Sequence, residues 1–251
     1  METVLSNVEY LLLLSLYHPQ GILVYSTPMI GEAEIQKARE TVRERGLVKV
    51  LPDDEMQVIP SLEALIVTCA LSDVSLVVAH TVIRGGEDTW VFHRREQLVV
   101  EDRIFPSGEH CLTRLAPGEL AKRVFARLFL TDQPPVIAER CVTSRSVFEA
   151  ARDAARRSGA QGALQVLQEG GLRAEVASPL AEALAQLVSS SALAAVRRAE
   201  PQSGMGFGVL EAVNGLWWLR ILGEGQVEIA PCTVVKVRQE VENLVASLSP
   251  L

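Results

Sequence analysis

What the sequence lacks narrows its chemistry first. It has 4 cysteines, Cys69, Cys111, Cys141 and Cys232, and no two stand in a C-x-x-C pair. Neither a zinc site nor a disulfide framework is indicated by that scatter. Histidine is as scarce: His18, His80, His93 and His110 are the 4 in 251 residues. Basic charge is in deficit, with 24 Lys+Arg against 31 Asp+Glu and a formal net charge of −7. So acidic a chain is poorly suited to phosphate backbones and to anionic lipid, which argues against nucleic-acid and membrane partners. No apolar run is long enough to span a bilayer, Leu11-Leu12-Leu13-Leu14 lying in a merely helix-length stretch. The opening Met1-Glu2-Thr3 is acidic where a secretory leader is basic, so the expected location is the cytoplasm.

Catalytic signatures are missing too. Gly204-Met205-Gly206-Phe207-Gly208 has the glycines of a phosphate loop, but no Lys-Ser/Thr follows and a strand comes next instead of a helix. There is no G-x-S-x-G and no H-E-x-x-H. His110 and Cys111 are neighbours on a strand entrance and point to opposite faces, so they are no nucleophile pair. His80 falls in the apolar alternate row Val74, Leu76, Val78, His80, Val82 and reads as a sheet-face residue. His80 and His93 can meet across strands, yet no third ligand has supporting spacing. Asp53-Asp54 and Glu101-Asp102 fall near turns or strand ends, where solvated acids are the default. The expectation is a non-enzyme with no catalytic residue, no metal and no cofactor.

What is present is a core, with 48% apolar residues, and an order of elements that occurs twice. The halves are 1–131 and 140–251, joined by a linker at 132–139 that holds Pro134-Pro135. Each opens on a short strand and a capping box, Ser6-Asn7-Val8-Glu9 and Ser146-Val147-Phe148-Glu149. A second helix in each stops on glycine and leucine, at Gly46-Leu47 and Gly170-Gly171-Leu172. A third opens on proline, at Pro60 and Pro179. Four strands follow: near Val74–Ile83, Thr89–Arg94, Gln97–Asp102 and Cys111–Leu115, then near Leu193–Arg198, Gly208–Val213, Leu216–Leu222 and Gln226–Ala230. Asn214-Gly215 predicts a two-residue hairpin with positive φ at both positions. Closing helices are expected over Gly118–Leu130 and Val234–Leu248. The pattern predicts an α+β chain, duplicated with pseudo-two-fold symmetry, although α+β chains also alternate such runs without duplication.

Candidate contact residues are aromatic. In Leu216–Leu222 the row Trp217, Leu219, Ile221 alternates with Trp218 and Arg220, and both rows are largely apolar. Trp90 and Phe92 share a row beside Arg94, and Met205 and Phe207 are the adhesive side chains of the glycine loop. Helices covering both sheet faces would make these aromatics ordinary core. A docking face is the other reading, since Trp and Arg anchor interfaces, and it selects Trp90, Phe92, Met205, Phe207, Trp218 and Arg220. A winged-helix regulator is the alternative function, with Arg94-Arg95 on the wing, but its recognition helix, Ser61–Leu71, carries no Lys or Arg.

Nearly the whole chain resembles the EspG family of type VII (ESX) secretion chaperones. The likeness rests on Leu5-Ser6-Asn7-Val8-Glu9-Tyr10-Leu11, Glu44-Arg45-Gly46-Leu47, Ile59-Pro60-Ser61-Leu62, Leu167-Gln168-Glu169-Gly170-Gly171-Leu172, Leu180-Ala181-Glu182-Ala183-Leu184 and Gly215-Leu216-Trp217-Trp218. It implies a pseudo-two-fold α+β fold with a central antiparallel sheet flanked by two helical bundles. It also implies a cytoplasmic chaperone or adaptor that binds the exposed hydrophobic tip of a helical secretion substrate, such as a PE–PPE heterodimer.

Overall fold

The computed structural model describes residues 2–17, 30–83 and 85–248, so His18 lies outside the described residues. Among these residues the chain is α+β, with 7 α-helices and a 10-stranded antiparallel sheet beside a 2-stranded hairpin. It divides into two compact units, each built from more than one segment of the chain. The first is Met1–Val77, Asp88–Leu120 and Ala195–Gly204; the second is Val78–Glu87, Ala121–Ala194 and Met205–Leu251.

The first unit opens on strand β1 (Glu2–Leu5), which runs into helix α1 (Asn7–Ser15). The expected capping box forms: Ser6 N–H donates to Glu9 Oε2 at 2.7 Å, and Glu9 N–H donates to Ser6 Oγ at 3.3 Å. Arg45 fastens this corner, its Nη1 on Glu9 Oε1 at 2.7 Å and its Nη2 on the Val4 carbonyl at 2.6 Å. Helix α2 (Glu32–Glu44) stops where Gly46 turns to φ +66 and Leu47 N–H reaches back to the Val42 carbonyl. A hairpin that the sequence reading missed comes next, β2 (Val48–Val50) with β3 (Met56–Val58). Its strands are too short to show a period of two. Proline stands at the first position of α3 (Pro60–Ala70), and β4 (Val74–Val82), β5 (Glu87–Arg95), β6 (Leu98–Ile104) and β7 (His110–Leu115) follow. Tyr10, Leu13, Leu62 and Ile66 of the helices pack on Val100 and Leu112.

That core contains a polar cluster. Asp102 is fully buried and accepts from His110 Nδ1 at 2.9 Å, and Tyr10 stacks on the His110 ring at 4.0 Å. Glu101 is buried as well, so this acid pair is not the solvated one expected. The acids lie mid-strand, because β6 runs on to Ile104. His93 Nδ1 meets Ser75 Oγ at 3.1 Å. Burial holds the His93 imidazole down at about 4, and the nearby Asp102 carboxylate offsets that only in part.

The second unit takes in α4 (Leu120–Ala126), which ends earlier than expected because Phe129 turns to φ +50. Strand β8 (Cys141–Ser144) runs into α5 (Arg145–Glu169), as β1 runs into α1. Ser144 caps α5, accepting from Val147 N–H at 3.2 Å. The expected Ser146–Glu149 box does not form, since Ser146 contacts Ser144 and Glu149 pairs with Arg145. The strand ends two residues sooner than that box requires. Gly159 (φ 68, ψ −162) breaks α5, and the far limb returns until Gly170 lies against Val147. Gly171 (φ +88) and Leu172 close that limb as Gly46 and Leu47 close α2. Helix α6 (Ala174–Ala185) starts five residues before Pro179, so this proline lies inside the helix and does not open it. Then come β9 (Leu187–Arg197), β10 (Glu200–Ala212), β11 (Gly215–Leu222), β12 (Gln226–Cys232) and α7 (Val234–Ser247). The first strand of each half pairs with the last, β1 with β7 and β8 with β12.

Strand β9 begins six residues before the expected start. Ser189 and Ser191 are buried there with partners, Ser189 Oγ donating to Glu211 and Ser191 Oγ to the Leu128 carbonyl. The tight turn before β11 also differs from expectation. Ala212 pairs with Gly215, so Val213 and Asn214 are the loop, and of Asn214 and Gly215 only the glycine has positive φ, at +135. A Cβ at Gly215 would lie 2.4 Å from Val136 Cγ2 and 3.0 Å from the Pro134 carbonyl. Gly215→Val is therefore expected to destabilise by about 2 kcal/mol or more, through strain and overlap together. A melting temperature within a degree of wild type would contradict this.

The buried His93 adds a pH dependence. Its pKa of about 4 lies below the ordinary 6.5 of the unfolded chain. Below pH 6.5 the unfolded state therefore binds the extra proton, and stability falls as pH drops from 6.5 towards 4, by at most roughly 3 kcal/mol. Above pH 6.5 this residue adds no pH dependence. Urea denaturation at pH 7, 5.5 and 4.5 should show a steeper decline for wild type than for His93→Asn; parallel declines would contradict the assignment.

Candidate functional site

Strand register sorts the sheet of the second unit into two faces. Leu210 stands opposite Trp217 and Gly208 opposite Leu219, while Leu219 pairs with Ile229 and Ile221 with Val227. This face meets the helices: Leu210, Trp217, Val227 and Ile229 pack with Ala151 and Ala155 of α5 and Ala177 and Leu180 of α6. The opposite face carries Phe207, Val209, Glu211, Trp218 and Arg220.

The helix-side face is covered only in part. The would-be Cβ of Gly206 lies 2.3 Å from the Leu193 carbonyl and 3.0 Å from Ala194 Cα, which sets β10 tightly against β9 there. Ala192, Ala194 and Gly206 are exposed, Gly208 and Leu219 are half-buried, and Ile221 is 67% exposed. Together they make a strip of small residues with one large aliphatic at its β11 border. It carries no charged side chain.

The six residues singled out from the sequence are placed differently. Trp90 and Phe92, in the first unit, are each 1% exposed and have no surface left for a partner. The Arg103 guanidinium lies 5.8 Å from the Trp90 ring centre. In the second unit Phe207 and Trp218 stack on each other, ring centres 4.0 Å apart, and both are buried. Met205 and Arg220 are exposed. These four belong to the face opposite the strip, so the structure does not bring the six together. The strip itself escaped notice because its residues are small. Its available signal was the alternation Ser190, Ala192, Ala194, small at every second position.

Cys69, Cys111, Cys232 and His80 are buried and Cys141 is half-buried. Burial pushes the Cys111 and Cys232 thiols up to about 12 and Cys141 to about 11, and the Cys69 thiol also rises well above its usual value. Such thiols are poor nucleophiles at neutral pH. His80 Nδ1 lies 2.9 Å from Ser191 Oγ, whose own proton goes to the Leu128 carbonyl, so His80 is the donor in that pair. Both are buried. Among the described residues no three His, Cys, Asp or Glu side chains gather as a metal ion requires. Among them, too, no helix is long and apolar enough to cross a membrane.

The strip's glycines are not equivalent. Gly206→Ala sets a methyl against backbone that cannot move aside and should cost on the order of 2 kcal/mol. A Cβ at Gly208 would meet Leu219 at an ordinary 3.4 Å, so Gly208→Ala should be within about 0.5 kcal/mol of neutral. Equal melting temperatures for the two variants would contradict the geometry.

No family model matches the chain, and no curated protein matches it in sequence. Among solved structures it is similar to the Mycobacterium tuberculosis type VII secretion system chaperone EspG5, solved in complex with the PE25-PPE41 dimer. The similarity covers 99% of this chain and 97% of that one, with a TM-score of 0.65 and 15% identity. The chain has the fold of this secretion chaperone.

Proposed function

We propose that the chain is a non-enzymatic cytoplasmic chaperone or adaptor that holds the apolar tip of a helical client against the uncovered strip of its second unit. One observation carries this reading: an uncharged face of Ala192, Ala194, Gly206 and Gly208, bordered by Ile221, that the helices of the second unit leave open. Small side chains let a helix end approach the strand backbone closely, and Ile221 supplies a knob. The fold shared with EspG5, a chaperone solved with a PE25-PPE41 dimer, supports a PE–PPE-like heterodimer as the client. The recurrent element order supports descent from a duplication, with halves 1–131 and 140–251 joined at 132–139. Of the six residues singled out from the sequence, Met205 and Arg220 have the exposure that a contact needs, on the other face. The winged-helix reading has no such support, because Leu62, Leu65 and Ile66 bury α3 in the first unit's core.

Affinity should come from apolar burial, about 25 cal/mol per Å² before ordering costs. Binding should therefore change little between 50 and 500 mM salt, unlike phosphate-backbone contacts. With a purified PE–PPE heterodimer, Ala194→Trp and Ile221→Asp should each weaken capture by about tenfold or more, while Met205→Ser with Arg220→Ser should not. Loss confined to the Met205/Arg220 variant would move the site to the other face. Full capture by all variants would overturn the reading.

A further inference from the structure

Residues 128–139 cross the second unit between α4 and β8, and four features of this segment converge. Its start is latched. The Leu128 carbonyl accepts from Ser191 Oγ at 3.0 Å, and Thr131 donates through both N–H and Oγ1 to Glu211, a buried carboxylate that also accepts from Ser189. Between these ties Phe129 sits at φ +50 with its ring on His80, centres 5.1 Å apart. An aromatic residue in the left-handed region is strained, and it stays there only while its neighbours hold it.

The middle is seated but poorly packed. Val136 lies where a Cβ at Gly215 would be, and Val136 and Ala138 rest on the core that contains Trp217. Beside them an open cavity of about 520 Å³ is lined by Val136–Glu139 together with Arg173 and Glu175 at the start of α6. Ile137 is 98% exposed. The far end is tied to α6 by the Glu139–Arg173 ion pair, both side chains 70% exposed. Exposed pairs of this kind hold weakly.

What lies beneath is imperfectly satisfied. Trp217 is wholly buried and its Nε1–H has no acceptor among the described residues, and Asn214 Oδ1 is likewise buried without a donor among them. Water reaching either group would satisfy it, which favours an opened state.

We propose that residues 128–139 form a strap, latched at Glu211, that lifts from the apolar core around Trp217 while the rest of the unit stays folded. Pro134-Pro135 stiffens its middle, so the movement hinges at its two ends, near Leu128 and near Arg140. Lifting hydrates Trp217, which shares its sheet row with Leu219 and Ile221. The strap is a property of the free protein and does not rest on the chaperone reading.

The test is deuterium exchange of the tryptophan indole N–H groups in the free protein, followed by NMR and assigned with Trp→Phe variants. Trp90, buried in the first unit, serves as the reference for global opening. Trp217 should exchange at least about tenfold faster than Trp90, with little dependence on low urea, as local opening requires. Thr131→Val removes one donor to the Glu211 carboxylate and should speed Trp217 about tenfold further, leaving Trp90 unchanged. Glu139→Ala, an exposed change that leaves folding intact, should speed it by about two- to fivefold. If Trp217 exchanges no faster than Trp90, or if neither variant changes its rate, the strap does not open on its own and the proposal fails.

Discussion

A sheet that is apolar on both rows must be covered on both faces, and most of the second unit follows from that requirement. Leu210, Trp217, Val227 and Ile229 are covered by the alanine-rich sides of α5 and α6. The break at Gly159 lets one stretch of chain supply two helical limbs for the purpose. Coverage gives out where β9 and β10 run side by side with small residues, and there exposure is tolerable because little apolar area is at stake. The surface that a partner can use is what remains after the core has been sealed.

Polar groups inside both units follow the same logic. Asp102 is buried with His110 as its partner, and Glu211 with Thr131 and Ser189. A buried charge without such partners would cost several kcal/mol. Arrangements of Ser, His and Asp that resemble catalytic sets on paper are here the means by which strands carry polar side chains through a core. His93 with Ser75 and His80 with Ser191 are buried pairs of this kind, the latter beside the Phe129 ring.

Much of the fold was legible because its signals are local. The Ser6–Glu9 box, the Gly46-Leu47 and Gly171-Leu172 stops and the four strands of the first half each depend on a few adjacent residues, and each formed. Misreadings arose where a distant partner decided. Ser189 and Ser191 look like turn residues until Glu211 and the Leu128 carbonyl are placed beside them. Pro179 matched Pro60 by position, but the helix had already begun at Ala174. The candidate site was the least legible part. Aromatic residues drew attention to Trp90, Phe92, Phe207 and Trp218, and these are buried for the same reason that they attracted notice: they have the most apolar area to hide. The strip proposed for docking is built largely from alanine and glycine, which leave almost no mark in a sequence.

The central claim is that the client sits on the β9–β11 strip and not on the reverse face. The most direct measurement places a photoreactive benzophenone side chain at Ala194 in one protein and at Arg220 in another, then irradiates each with a purified PE–PPE heterodimer. The account predicts a covalent adduct from position 194, at a helix end of the client, and none from position 220. Adducts from 220 alone, or from neither position with a complex otherwise formed, would contradict it.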